Sequence, residues 1–185
     1  PVHRWFPYLQ AFSRDLVMKL LEYFKADGKH LVLDPFCGCG STLLTCKEMG
    51  IQSIGVDIFP LAVFVTDVKL QNEYDIRALK RAINRVLQGS PSNYDVPMPP
   101  HPIMKKAFKL KTLHQILFYR EKIKEIQDKS IRQFLQLGLM ACLEQLSFVR
   151  RDGAHYRFVL DKKIPDTRHA LEDKWSSMYD DLHNR

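Results

Sequence analysis

The 185 residues, 21.7 kDa in mass, are 45% hydrophobic and 26% charged, which fits one globular domain or one and a half and excludes disordered and fibrous classes. No apolar run approaches the roughly 20 residues that cross a bilayer, and residues 1–14 lack the apolar core of a secretory signal, so a soluble cytoplasmic protein is expected. The net charge of +7 is concentrated: Ile103–Gln133 holds nine Lys/Arg against three acids, a basic stretch suited to phosphate backbones or, more plainly, a solvated helix face.

Ser13–Lys25 places Leu16, Leu20, Leu21, Tyr23 and Phe24 at helical spacing, with Ser13 as N-cap and Gly28 just past the end. His30–Asp34 is a short apolar run ending in an acid, as a buried parallel strand would, and Pro35-Phe-Cys-Gly-Cys-Gly40 is the glycine turn that follows it. Ser41–Met49 reads as a helix capped by Ser41 or Thr42 and closed by Gly50. Gln52–Asp57 is a second apolar strand, also ending in an acid. Strand, glycine turn, helix and strand in sequence make a βαβ unit.

Beyond Leu61 the pattern turns helical, at Leu61–Leu70, Ile76–Leu87, Thr112–Gln127 and Ile131–Phe148, with no third strand of comparable apolar character among them. Turn formers at Gly89–Asn93 and Pro97–Pro102 mark a linker between the second and third of these helices. The tail reads as a short strand at His155–Leu160 and a helix at Thr167–Leu182, with Trp175, Met178 and Tyr179 on one face. The expected divisions are 1–70, 71–150 with the basic segment 103–133, and 151–185.

Asp34-Pro35-Phe36-Cys37-Gly38-Cys39-Gly40-Ser41-Thr42 carries the chemistry. Two glycines let the backbone turn tightly against a ligand, and the following helix aims free amides at it. A triphosphate loop would end in Gly-Lys-Ser/Thr, but Cys39-Gly40-Ser41 has no lysine. A dinucleotide fingerprint needs a third glycine where Leu43 stands, and an acid at the strand tip repels a pyrophosphate. S-adenosylmethionine, with its ammonium and sulfonium, suits Asp34. Asp57, at the second strand tip, is placed for the ribose hydroxyls, and Ile58 and Phe59 for the adenine. A plainer alternative makes Asp34 a cap of the Ser41 helix, Asp57 the start of an ordinary turn, and Phe36 and Phe59 core.

The turn resembles the Asp-Pro-Phe-x-Gly-Ser-Gly-Thr motif of the DNA methyltransferases that modify the exocyclic amino group of adenine or cytosine. Val2–Ser13 resembles the segment that precedes it in those enzymes, and Gly55-Val-Asp-Ile-Phe-Pro-Leu-Ala62 their Gly-x-Asp-x-x-Pro-x-Ala motif. Cys39 and Ser41 replace the usual Ser and Thr. The resemblance, which covers 2–70, implies an α/β fold: a Rossmann-like S-adenosylmethionine methyltransferase core, incomplete within this sequence, with a basic α-helical insertion. It implies S-adenosylmethionine as cofactor, held by Tyr8, Phe12, Ser13, Asp34, Pro35, Phe36, Cys37, Gly38, Cys39, Gly40, Ser41, Thr42, Asp57, Ile58 and Phe59. DNA is the implied substrate, ahead of RNA, in a restriction-modification setting. Lys105, Lys106, Lys109 and Lys111 are the candidate nucleic-acid contacts.

The family's catalytic Asp/Asn/Ser-Pro-Pro-Tyr/Phe tetrapeptide is absent, and Ser90-Pro-Ser-Asn93 and Met98-Pro-Pro-His101 do not substitute for it. It is expected beyond Arg185 or on a second chain, which leaves a non-catalytic cofactor-binding subunit as a rival reading. The start at Pro1 without methionine suggests a processed product, an isolated domain or a piece of a longer chain. Cys37, Cys39, Cys46 and Cys142 form neither a disulfide framework nor a zinc spacing and are expected to be reduced thiols. The histidines have no partners at ligand spacing, so no metal is expected. Phe108, Phe118, Tyr119, Phe134 and Phe148 read as a core stripe.

Overall fold

Ser13 begins helix α1 (Arg14–Tyr23) by accepting the Leu16 N–H through its hydroxyl at 3.2 Å, the expected cap. The left-handed residue that ends α1 is Lys25 (φ 52), not Gly28, and the Ala26 N–H reaches back to the Leu21 carbonyl at 2.9 Å. Strand β1 (Leu31–Asp34) pairs in parallel with β2 (Gln52–Gly55), joined through α2 (Ser41–Glu48). The expected βαβ order is present. Beyond these bounds the Val56 N–H donates to the Asp34 carbonyl at 2.9 Å and the Cys37 N–H to the Val56 carbonyl at 3.0 Å. The ladder therefore runs on into the glycine turn.

This computed structural model describes residues 2–8, 11–71, 73–91, 97–99, 101–153 and 155–183. It is a mixed α/β fold, mostly helical, with two small sheets. The chain divides into two units, Pro1–Glu73 and Tyr74–Arg185, so the segments expected at 71–150 and 151–185 fall almost wholly in one unit. In the first unit Val17 and Leu21 of α1 pack on Cys46 of α2 and on Ile51, with Val32 at the margin. That covers one face of the sheet. The expectation of a buried strand is corrected on the other face, where Leu31 and Leu33 are 60% and 62% exposed. With two strands, and helices on one side, the opposite apolar face has no cover among the described residues. Helix α3 (Pro60–Leu70) completes the unit.

The second unit comprises α4 (Ile76–Leu87), α5 (Ile103–Ala107), α6 (Leu110–Lys124), α7 (Lys129–Cys142), the antiparallel hairpin β3 (Val149–Asp152) and β4 (His155–Phe158), and α8 (Thr167–His183). Trp175 is buried, donating its indole N–H to the Leu135 carbonyl at 3.1 Å, and Met178 is buried beside it on α8, while Tyr179 is half-buried. Helix α7 starts two residues earlier than periodicity indicates because the Asp128 carboxylate caps it through the Ile131 N–H at 2.9 Å. It stops at Cys142, not Phe148; beyond it the Ser147 hydroxyl donates to the Glu144 carbonyl at 2.9 Å and folds the chain into a turn. Phe118, Tyr119 and Phe134 are buried, as a core stripe requires. Part of the expected linker, within residues 92–96 and at 100, lies outside the described residues.

Candidate functional site

The glycine turn is set by contacts from three directions. From β2, Asp57 receives the Gly38 N–H on Oδ2 and the Phe59 N–H on Oδ1, both at 2.9 Å. From α3, the Thr66 hydroxyl donates to the Gly38 carbonyl at 3.0 Å, and the buried Lys69 ammonium donates to the carbonyls of Cys39 (3.4 Å) and His3 (3.1 Å). From the N-terminal segment, the Tyr8 ring lies over Gly38, within 3.4 Å of where a Cβ would stand. The turn carbonyls of Gly38 and Cys39 are thus drawn toward α3.

Gly40 shows why the turn needs this sequence. Its φ is +78°, and a Cβ there would lie 2.8 Å from Thr66, so both the backbone angle and the space select glycine. Gly40 is also the N-cap of α2, with no side-chain cap; Ser41 and Thr42 stand inside the helix, which corrects their expected capping role. Ser41 is instead buried, its carbonyl accepting the Thr45 hydroxyl at 2.8 Å. The helix thereby keeps first-turn amides with no side-chain cap.

Asp34 is half-buried and accepts the Phe36 N–H at 3.1 Å, so it orders the turn and does not cap α2. Phe36 and Ile58 are 84% and 85% exposed, and Phe59 is exposed as well, which overturns the core alternative for Phe36 and Phe59. Cys37 and Cys39 are buried, their sulfurs facing protein; burial, with the charges of Asp34 and Asp57 behind it, pushes the Cys37 thiol up. Phe12, Asp34, Pro35 and Thr42 meet at a largely apolar cavity of about 420 Å³ between α1 and β1. Ser13 is at the α1 cap, apart from the turn. Thr66 and Lys69 were not legible as site residues: they sit within α3, Lys69 in its last turn, and only their i, i+3 spacing could have put them on one face. The four lysines at 105, 106, 109 and 111 are exposed and belong to the second unit. No cluster of metal-ligating side chains occurs among the described residues.

Residues 6–63 match the family model described as DNA methylase. Among curated relatives, the Type II methyltransferase M.BsoBI of Geobacillus stearothermophilus is 33% identical over 159 residues, covering 85% of this chain and 31% of that protein. The Type II methyltransferase M.AvaI of Nostoc is 28% identical over 172 residues, with 85% and 33% covered. M.MjaII of Methanocaldococcus jannaschii is 44% identical over 82 residues, covering 44% of this chain and 15% of that protein. The chain spans about a third of the length of the first two relatives. No solved structure matches it.

Proposed function

We propose that this chain is the cofactor-binding part of an S-adenosylmethionine-dependent DNA methyltransferase acting on the exocyclic amino group of adenine or cytosine. The observation that carries the reading is the turn itself: two half-buried carboxylates at adjacent strand tips flank a glycine backbone and a helix N-terminus without a side-chain cap. That donor set suits a cationic ligand with a free ribose and not a pyrophosphate. When bound, S-adenosylmethionine supplies an electrophilic methyl group. Asp34 would hold the ammonium end, Asp57 the ribose hydroxyls through lone pairs its amide bonds leave free, and Phe36, Ile58 and Phe59 the adenine. Tyr8 would close the turn from above, with Phe12 beside it.

The core is read as Rossmann-like. Parallel strands are ordinarily covered on both faces, so the bare apolar face of β1 and β2 supports cover by further helices, and the outer edges of this two-stranded sheet support pairing with further strands. Those strands, from the same polypeptide or a partner, would bring the catalytic tetrapeptide. The family profile and the relatives' names favour DNA over RNA. The exposed lysines at 105–111, in the basic helical segment, are read as phosphate contacts.

Thermal unfolding with ligands tests the cofactor reading. S-adenosylmethionine at 100 times its Kd should add about 2.7 kcal/mol of stability and raise the Tm, while NAD and ATP leave it unchanged. Equal shifts from all three would sink the assignment.

A further inference from the structure

We propose that the β3–β4 hairpin is a DNA-contacting ribbon whose Arg150 and Arg157 neutralise phosphates of a duplex. The proposal rests on the DNA reading above and locates part of its interface. In the hairpin register Arg150 lies directly opposite Arg157, so both side chains leave the same face. Like charges directly opposite destabilise a two-stranded ribbon. Among the described residues Arg150 has no ion pair, and Arg157 has Asp152 at 3.3 Å, an exposed pair of little worth. All four residues of β4 are exposed, so packing does not explain the arrangement either. A polyanion would turn this repulsion into binding.

The other face is stiffened from within. The Arg151 guanidinium lies 5.1 Å from the Tyr156 ring centroid and donates to its hydroxyl, leaving Tyr156 and Phe158 as an exposed aromatic rim. The root is pinned as well: the Val159 N–H donates to the Phe148 carbonyl, and the Phe148 N–H to the Ala107 carbonyl, both at 2.7 Å. Lys162 is spent there, donating to the carbonyls of Glu144 (2.6 Å) and Val149 (2.9 Å). The Glu144 carboxylate takes the Arg151 N–H at 3.2 Å. Residues 149–163 hold five Lys/Arg against Asp152 and Asp161.

The bond from Phe148 to Ala107 joins this root to the end of α5, next to Lys105 and Lys106, with Lys109 and Lys111 following. Those four lysines have no ion pairs among the described residues. Of the other five basic residues in the stretch, four are engaged internally, Arg120 and Lys124 on Glu121, Lys122 on Glu125, and Arg132 on the carbonyls of Ile126 and Gln127, while Lys129 at the start of α7 is exposed. The hairpin arginines and the 105–111 lysines thus lie on directly bonded segments, and a two-stranded ribbon fits a major groove about 12 Å wide.

The test measures affinity of the 185-residue chain for a random-sequence duplex at several salt concentrations. Arg150→Ala with Arg157→Ala should lower the slope of log affinity against log salt by about 1.8, at about 0.9 per lost phosphate contact, and Arg150→Lys with Arg157→Lys should largely restore it. Circular dichroism confirms that each variant is folded. An unchanged slope in the double alanine variant, with the wild type binding duplex, overturns the ribbon and leaves the DNA reading standing. An equal loss from Lys19→Ala with Lys29→Ala would also overturn it, as an effect of net charge alone. A wild-type chain that shifts with S-adenosylmethionine but binds no duplex removes both the ribbon and any DNA contact by these residues.

Discussion

Asp57 does two things at once, and the two can be separated. Its carboxylate holds the amides of Gly38 and Phe59, so it is part of the turn before any ligand arrives. Hydrogen bonds to a charged acceptor contribute about 1.5–3 kcal/mol each when fully formed, and less where solvent reaches them as it does here. Asp57→Ala is expected to lower unfolding free energy by about 1–3 kcal/mol in a urea titration and to abolish the S-adenosylmethionine-induced Tm shift. Asp57→Asn, which keeps an acceptor oxygen, should recover most of the stability and less of the ligand shift. A full shift in the alanine variant would remove Asp57 from the cofactor site. On the far side of the turn, Gly40→Ala should destabilise by about 1–3 kcal/mol through its positive φ and the Thr66 contact. Adding Thr66→Ala relieves the collision but not the backbone angle, so a double-mutant cycle should show partial, not full, recovery. Lys69→Met tests the remaining brace: it strips two turn-side carbonyls of their donor and should weaken S-adenosylmethionine binding without unfolding the chain.

At the level of elements, Cys142 offers a pH handle. It ends α7, packs against α8 with its thiol directed at the Ala170 carbonyl, and burial pushes its pKa up from 9.0 to about 11. A raised folded pKa means the native state binds the proton more tightly, so the stabilisation is complete below pH 9 and is lost as pH rises toward 11. The rise from 9.0 to about 11 corresponds to at most about 2.7 kcal/mol. Cys142→Ala should flatten that part of a stability–pH profile; an unchanged profile would show that another group sets it. Helices and the βαβ order were legible because α1, α4 and α8 have periodic apolar faces and Asp34 and Asp57 close their strands. β3 was not, because Val149-Arg-Arg-Asp152 has no apolar alternation: its strand character comes from pairing with β4 around Gly153. Likewise α5 is too short for periodicity. In the turn, the residue types were legible, but the bracing from Thr66 and Lys69 depends on how α3 packs, a tertiary fact that local sequence does not encode.

At the scale of the whole chain, the most consequential feature is an apolar surface with no cover among the described residues. Leu31, Leu33, Ile54 and Val56 are all exposed, Leu31 and Leu33 in β1, Ile54 in β2 and Val56 just beyond it, and Phe12, Leu20 and Phe24 line the adjoining cavity. Contiguous apolar surface of this kind on a soluble protein marks an interface, and on a two-stranded parallel sheet the natural occupants are more strands and the helices that cover them. The relatives, about three times as long as the matched segment, have the chain length to supply such elements. If so, the face is costly to leave bare but contributes little to the fold of this chain. Leu31→Lys with Leu33→Lys should therefore change the urea midpoint by no more than surface substitutions do, about 0.5 kcal/mol, while reducing binding of an apolar dye. In a longer protein that carries the catalytic tetrapeptide, the same pair should abolish methyl transfer, because two lysines would be forced into a closed sheet at several kcal/mol. A loss of 2 kcal/mol or more already in the 185-residue chain would mean that this face is packed against the chain's own residues, and the proposed cover of the sheet by further helices would fall with it.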